Sequence, residues 1–237
     1  MRTILIGLAV SLFVFSACGL TPEDPWDPSE EGEENLRVAS FNTHNLFDTH
    51  CDSGDCGPNE FEKTPSQSEY EERITEVAEA IEELDSQIVL LQEIENEDVL
   101  EDLADELDGH YSVAVLGELG WPGSLDVGVL STGELEETRG YRDERELERP
   151  DGGTDRFTRE FLRVDLEIGG RSIIAFTSHF RSKRDDDPER RLAEAREARE
   201  IVDEVAHANP DSLVVFGGDL NDRPGSEPLE ALTTDNG

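Results

Sequence analysis

Several short apolar runs in this 237-residue chain stop on a polar residue suited to metal or phosphate chemistry, and this limits the folds open to it. Leu36–Phe41 runs into Asn42, Ile88–Gln92 into Glu93, and Arg171–Ser178 into His179. Leu213–Gly218 leads into Asp219, with Asn221 two residues on. A fifth run, Glu160–Ile168, is entered from Arg159 and so carries its polar group at the other end. One such ending would be chance. The set reads as one site assembled at the rims of a sheet.

The segments between these runs alternate helix and strand. Tyr70, Ile74, Val77, Ile81 and Leu84 recur at helical spacing and predict one apolar helix face, with Glu on the other. Asn96–Leu107 predicts a second helix, ended by Asp108-Gly109. Tyr111–Leu116 and Asp126–Leu130 are expected to be strands flanking the Gly117–Ser124 turn. Arg139–Gly153 is charged and reads as irregular, with at most an edge strand. Gly169-Gly170 predicts a hairpin between the Glu160–Ile168 and Arg171–Ser178 strands. Pro188 suits the first turn of a helix running to about His207, and Glu227–Leu232 starts a last one.

Each polar ending has two readings. Asp219-Leu220-Asn221 follows two glycines; it suits a held water or a cation shell, or equally an Asx-type turn opening a helix. Glu93 at a strand end suits a hard cation, or the dipole of a following helix. His179 alone would be a structural histidine as readily as a catalytic one. Arg181, Lys183 and Arg184 form a basic island that would admit an anionic substrate, or simply open a solvated loop.

The N-terminus reads as a leader. Met1-Arg2 is basic, Ile4–Phe15 is apolar and too short to span a bilayer comfortably, and small residues precede Cys18. Residues 1–17 resemble a lipoprotein signal whose product is lipidated on Cys18; a plain signal peptide cut near Ala17 is the alternative. Either way export is expected, to the bacterial cell envelope or beyond. Residues 18–35 are acidic and Pro/Gly-containing, a solvated tether. The remainder, 36–237, is expected to be one domain. Export permits a Cys51–Cys56 disulfide, with two free thiols in a surface loop as the other reading. The net charge of −38 repels polyanions and argues against binding long nucleic acid at low salt.

Taken together, Ser40–Asp48 (SFNTHNLFD), Ile88–Asn96 (IVLLQEIEN), Asp126–Ser131 (DVGVLS), Thr158–Leu162, Ser178–Lys183 and Gly217–Pro224 (GGDLNDRP) resemble, in order, the endonuclease/exonuclease/phosphatase family, also called deoxyribonuclease-I-like. The details look most like its bacterial exported branch. The resemblance implies a four-layered α/β sandwich, two mainly antiparallel sheets flanked by helices. It implies a monomeric phosphoesterase using Mg²⁺, with Mn²⁺ or Ca²⁺ as alternatives. Glu93 would be the main metal ligand with Asn42 beside it. Asp219 would orient or deprotonate the attacking water, and Asn221 would hold the same network. His179 and Arg159, with Asn42, would bind the scissile phosphate. The substrate class stays open among nucleic acid, nucleotide, inositol phosphate and phospholipid headgroup.

The family pattern continues past Gly-Asp-x-Asn through further strands to a Ser-Asp-His motif whose histidine is a general acid/base. This sequence holds no such motif, and His44, His50, His110 and His207 match neither its place nor its context. A sandwich short of its last strands is therefore expected, and a surface lipoprotein that keeps the fold without turnover stands as the second reading.

Overall fold

The structure, a computed structural model, describes residues 12–15, 35–57, 59–184 and 186–233. The expected lipidation site Cys18 and almost all of the 18–35 tether lie outside the described residues. In chain order the elements are β1 (Leu12–Phe15), β2 (Val38–Leu46), α1 (Gln67–Leu84), β3 (Ile88–Ile94), α2 (Glu97–Glu106), β4 (Val113–Gly117), β5 (Asp126–Ser131) and β6 (Glu134–Gly140). They continue with β7 (Leu147–Glu148), β8 (Thr154–Asp155), β9 (Leu162–Ile168), β10 (Arg171–His179), α3 (Pro188–Ala208), β11 (Leu213–Asp219) and α4 (Glu227–Thr233).

Period-2 alternation in the central strands builds four layers. Val89 and Leu91 of β3 face Ile74, Val77, Ile81, Leu100 and Leu103 of α1 and α2. Their neighbours Ile88 and Leu90 point the other way, into a core shared with Val164, Leu166, Ile173, Ala175 and Val215 of the second sheet. Beyond that sheet, Ile174, Phe176 and Phe216 pack under Ala195, Ala198, Ile201 and Leu229 of α3 and α4. The order is helices, sheet, sheet, helices: the expected four-layered α/β sandwich.

Both sheets are mixed. One runs β2-β3-β5-β4 and the other β1-β11-β10-β9-β6. Among the described residues each contains a single parallel pair, β2/β3 in the first and β10/β11 in the second. Parallel partners end at the same edge, so both pairs present their carboxyl ends together, where ligands of α/β sheets gather.

The helices begin as their sequences dictate. Ser66 and Glu69 form a capping box at α1, Asn96 caps α2, and Asp187 caps α3 ahead of Pro188 at its first turn.

Two findings differ from the sequence reading. Glu134–Gly140, placed mostly outside any element and otherwise within an irregular stretch, is a regular strand at the edge of the second sheet. It is exposed along almost its whole length, so it carries no apolar alternation, and its register on β9 alone makes it a strand. Its charges keep an open edge from pairing with other chains. Secondly, Leu12–Phe15, within the segment read as a leader, pairs antiparallel with Val214–Gly217. An apolar run there satisfies the backbone groups that the edge of β11 would otherwise present unpaired.

Candidate active site

The rim formed by the two parallel pairs carries Asn42, Glu93, His179 and Asp219. The β10/β11 register sets His179 directly beside Asp219. The Asn42 side-chain amide crosses between the sheets, donating to Glu93 Oε1 at 3.0 Å and to Asp219 Oδ2 at 2.9 Å. His44 N–H donates to Asn42 Oδ1, which fixes the amide with its nitrogen toward the carboxylates. One ligand atom each from Glu93, His179 and Asp219 lies within 4.8 Å of the others.

Backbone irregularity aims these groups. Both ladders of β3 shift register between Gln92 and Ile94, so Glu93 sits in a bulge at φ 68. Bulges re-aim a side chain, and a non-glycine residue at positive φ costs about 1–3 kcal/mol that its surroundings must over-determine. They do: Thr43 Oγ1 donates to the carbonyls of both Gln92 and Glu93, and Asn45 N–H donates to Glu93 Oε2 at 2.7 Å. His44 and Asn45 share the positive φ in the matching bulge of β2. On the other pair, Gly218 lets β11 approach β10 closely, since a Cβ there would run into the Ser178 carbonyl.

Asp219 is held from three sides. Its Oδ1 accepts the Asn221 N–H at 2.9 Å, its Oδ2 accepts Asn42, and His179 Nε2 stands 3.9 Å from Oδ2. Asn221 thus joins the site through its backbone; its side chain donates to the Phe180 carbonyl and ties the ends of β10 and β11 together. His179 is buried, which pushes its imidazole toward the neutral form against the pull of Asp219, and its Nδ1 has no hydrogen-bond partner among the described residues. Arg159 bonds the carbonyls of Leu125 and Thr158. Burial lowers its affinity for its proton, opposed by the carboxylates of Asp126 and Glu93. Of the six expected residues, Asn42, Glu93, His179 and Asp219 come together on one edge, Asn221 joins them by its main chain, and Arg159 is near enough for its charge to act on His179.

Two residues absent from the sequence reading brace the site from α3. Glu194 is fully buried; its carboxylate accepts the Thr158 and Arg181 N–H groups, both at 2.7 Å, and so sets the loops that carry Arg159 and follow His179. Arg191, also buried, reaches Asp222, Asp186 and the Arg181 carbonyl. In the basic island, Lys183 pairs with Asp222 at 2.7 Å.

The donor set suits a hard divalent cation. Glu93 and Asp219 bring two carboxylates together with only an amide between them, and such oxygens are the ligands Mg²⁺, Mn²⁺ and Ca²⁺ take.

Fold and site together define a four-layered α/β sandwich whose two sheets share a rim of two carboxylates, an amide and a histidine. The chain belongs to the endonuclease/exonuclease/phosphatase family, whose model matches residues 37–235. Similar solved structures include TDP2 from Caenorhabditis elegans (22% identity, 79% of this chain and 48% of that one, TM-score 0.55). They also include a β-toxin variant from Staphylococcus aureus (17%, 84% and 73%, 0.56) and the human Nocturnin catalytic domain (16%, 85% and 69%, 0.58). This chain therefore spans about half the length of the C. elegans protein. At these identities the likeness concerns the fold. No match was found among curated protein sequences.

Proposed function

We propose that this chain is a divalent-metal-dependent phosphoesterase that hydrolyses a phosphodiester by direct attack of water, in the manner of a nuclease. The observation that carries the proposal is the convergence of Glu93, His179 and Asp219, from β3, β10 and β11, within 4.8 Å. Family membership supports the reaction class, and a D. rerio TDP2 structure complexed with single-strand DNA product supports a nucleic-acid substrate.

Glu93, with Asp219 close by, would hold the cation, which supplies Lewis acidity to the phosphoryl oxygens. Asp219, fixed by Asn221 N–H and Asn42, orients the water and takes its proton. His179 and Arg159 flank the phosphate and offset the charge that grows on its oxygens as the P–O bond breaks. Asn42 keeps two carboxylates in register across the sheets. Little covalent work is asked of the protein; positioning and charge account for the rate.

Export and anchorage through Cys18 belong to the same proposal, as does a monomeric state; cleavage before Cys18 would remove β1 and leave the edge of β11 without that partner. The leader-like N-terminus supports export, and a disulfide between Cys51 and Cys56 is at home in an oxidising compartment. The test is Mg²⁺-dependent turnover of bis(p-nitrophenyl) phosphate, with Glu93→Ala and Asp219→Ala as controls.

A further inference from the structure

One groove departs from the charge character of the rest of the molecule. In a chain with 58 acidic and 20 basic residues, Arg142, Arg159, Arg181 and Arg190 line a single groove of about 480 Å³ beside the site. Its walls are the loop closed by the Cys51–Cys56 disulfide and the Gly117–Ser124 turn. Among the described residues three large apolar side chains stand exposed. Two of them, Phe61 at 51% and Trp121 at 66%, line this groove.

Neither aromatic is loose. Phe61 meets the buried Phe47 edge-on at 5.8 Å. The Arg142 guanidinium lies 5.8 Å from the centre of the Trp121 ring. The two walls are fitted to each other at Gly123, where a Cβ would run into the Glu62 carboxylate. Glu62 in turn accepts the N–H groups of Asp52 and Ser53, so its charge is spent on holding the disulfide loop.

We propose that this groove is a nucleotide subsite: it seats a base and a neighbouring phosphate of a single-stranded polynucleotide whose scissile phosphate lies at Arg159. The inference rests on the phosphodiesterase reading above and names its substrate class. An exposed indole stacks on any base, and a base must leave its duplex to offer a face. Guanidinium groups beside it recognise phosphate oxygens with a planar fork. A choline headgroup would also seek an aromatic face, but four guanidiniums repel a quaternary ammonium, and Arg142 already stands against the ring. Asp55 and Glu60 on the groove lining limit the anionic stretch that can be followed, so the site suits a short length of strand.

The test is binding of a fluorescent short oligothymidylate to the Asp219→Ala protein, read by anisotropy with Mg²⁺ present, with and without Trp121→Ala or Trp121→Phe. Trp121→Ala is expected to weaken binding roughly tenfold, the low end of what stacking one base is worth, and Trp121→Phe to keep most of the affinity. Equal affinity in Trp121→Ala and its parent overturns the subsite, as does displacement of the oligonucleotide by phosphocholine vesicles. Turnover of bis(p-nitrophenyl) phosphate by the wild-type chain reads the catalytic centre separately. If turnover persists while Trp121 is indifferent, the subsite alone falls. If turnover is absent while binding depends on Trp121, the catalytic reading falls and the subsite stands.

Discussion

At the scale of single residues, the site rests on side chains whose surroundings oppose their ordinary behaviour. Glu93 takes a left-handed backbone that glycine would adopt more cheaply, and Thr43 and Asn45 hold it there. Asp126, at the start of β5, is buried; among the described residues its Oδ1 has no partner, while Oδ2 accepts the Leu119 N–H and the Ser124 hydroxyl. Burial pushes its carboxyl from an ordinary 3.8 up to about 6, against the pull of its hydrogen bonds and of Arg159. The folded state therefore holds this proton more tightly than the unfolded chain does. The cost of its buried charge is absent below about pH 4 and complete above about pH 6. Asp126→Asn keeps the acceptor and removes the charge. Relative to the parent it is expected to gain stability as pH rises from about 4 to about 7, by about 1–3 kcal/mol. Urea denaturation across that range checks it; a gap independent of pH would show that Asp126 is not carrying a costly charge.

Among the elements, α3 does most to set the site. Its N-cap, Asp187, accepts the Arg190 N–H and is held by Arg149 at 2.8 and 3.0 Å. The Arg149 hydrogen bonds bring Asp187 down to about 2, with burial opposing. A depressed carboxylate stabilises above its unfolded value of about 3.8, and that contribution is lost as pH falls through about 2. Asp187→Ala is expected to cost about 1–2 kcal/mol at pH 7, and the cost should shrink toward pH 2; denaturant midpoints at the two pH values measure it. The same helix shows what the sequence could and could not disclose. Pro188 marks its start, and Leu192, Ala195 and Val202 mark its inner face. Glu194 lies on that face too, but a carboxylate in a run such as Leu192–Glu200 reads as solvated until its two N–H partners from distant loops are known. Strands β3, β10 and β11 were legible because burial on both faces makes them continuously apolar. Edge strand β6 was not, because nothing in Glu134–Gly140 alternates. Asn42, Glu93, His179 and Asp219 were legible as the ends of apolar runs, with Arg159 and Asn221 beside such runs, and the family resemblance implied roles for them. The bulges that aim Glu93 and Asn42 were not, since their positive φ falls on Glu, His and Asn rather than on glycine.

For the whole molecule, charge is the dominant fact. A net −38 means self-repulsion across the sandwich, with four arginines gathered on the lining of one groove. Salt shortens the reach of that repulsion from about 10 Å at 0.1 M to about 3 Å at 1 M. The melting temperature at pH 7 is therefore expected to rise as NaCl increases over that range. A flat or falling trend in differential scanning calorimetry would mean that paired charges, not repulsion, govern stability. The two sheets matter to function because each contributes one parallel pair, and the amide of Asn42 joins them at the rim where Glu93 and Asp219 meet. The most direct measurement of that convergence is the rate of bis(p-nitrophenyl) phosphate hydrolysis with and without Mg²⁺, in the wild type, Glu93→Ala and Asp219→Ala. The expected result is turnover that needs the cation and falls by roughly a hundredfold or more in each variant, the scale on which removing a single transition-state-stabilising group acts. Equal rates in all three proteins, or rates indifferent to Mg²⁺, would contradict it.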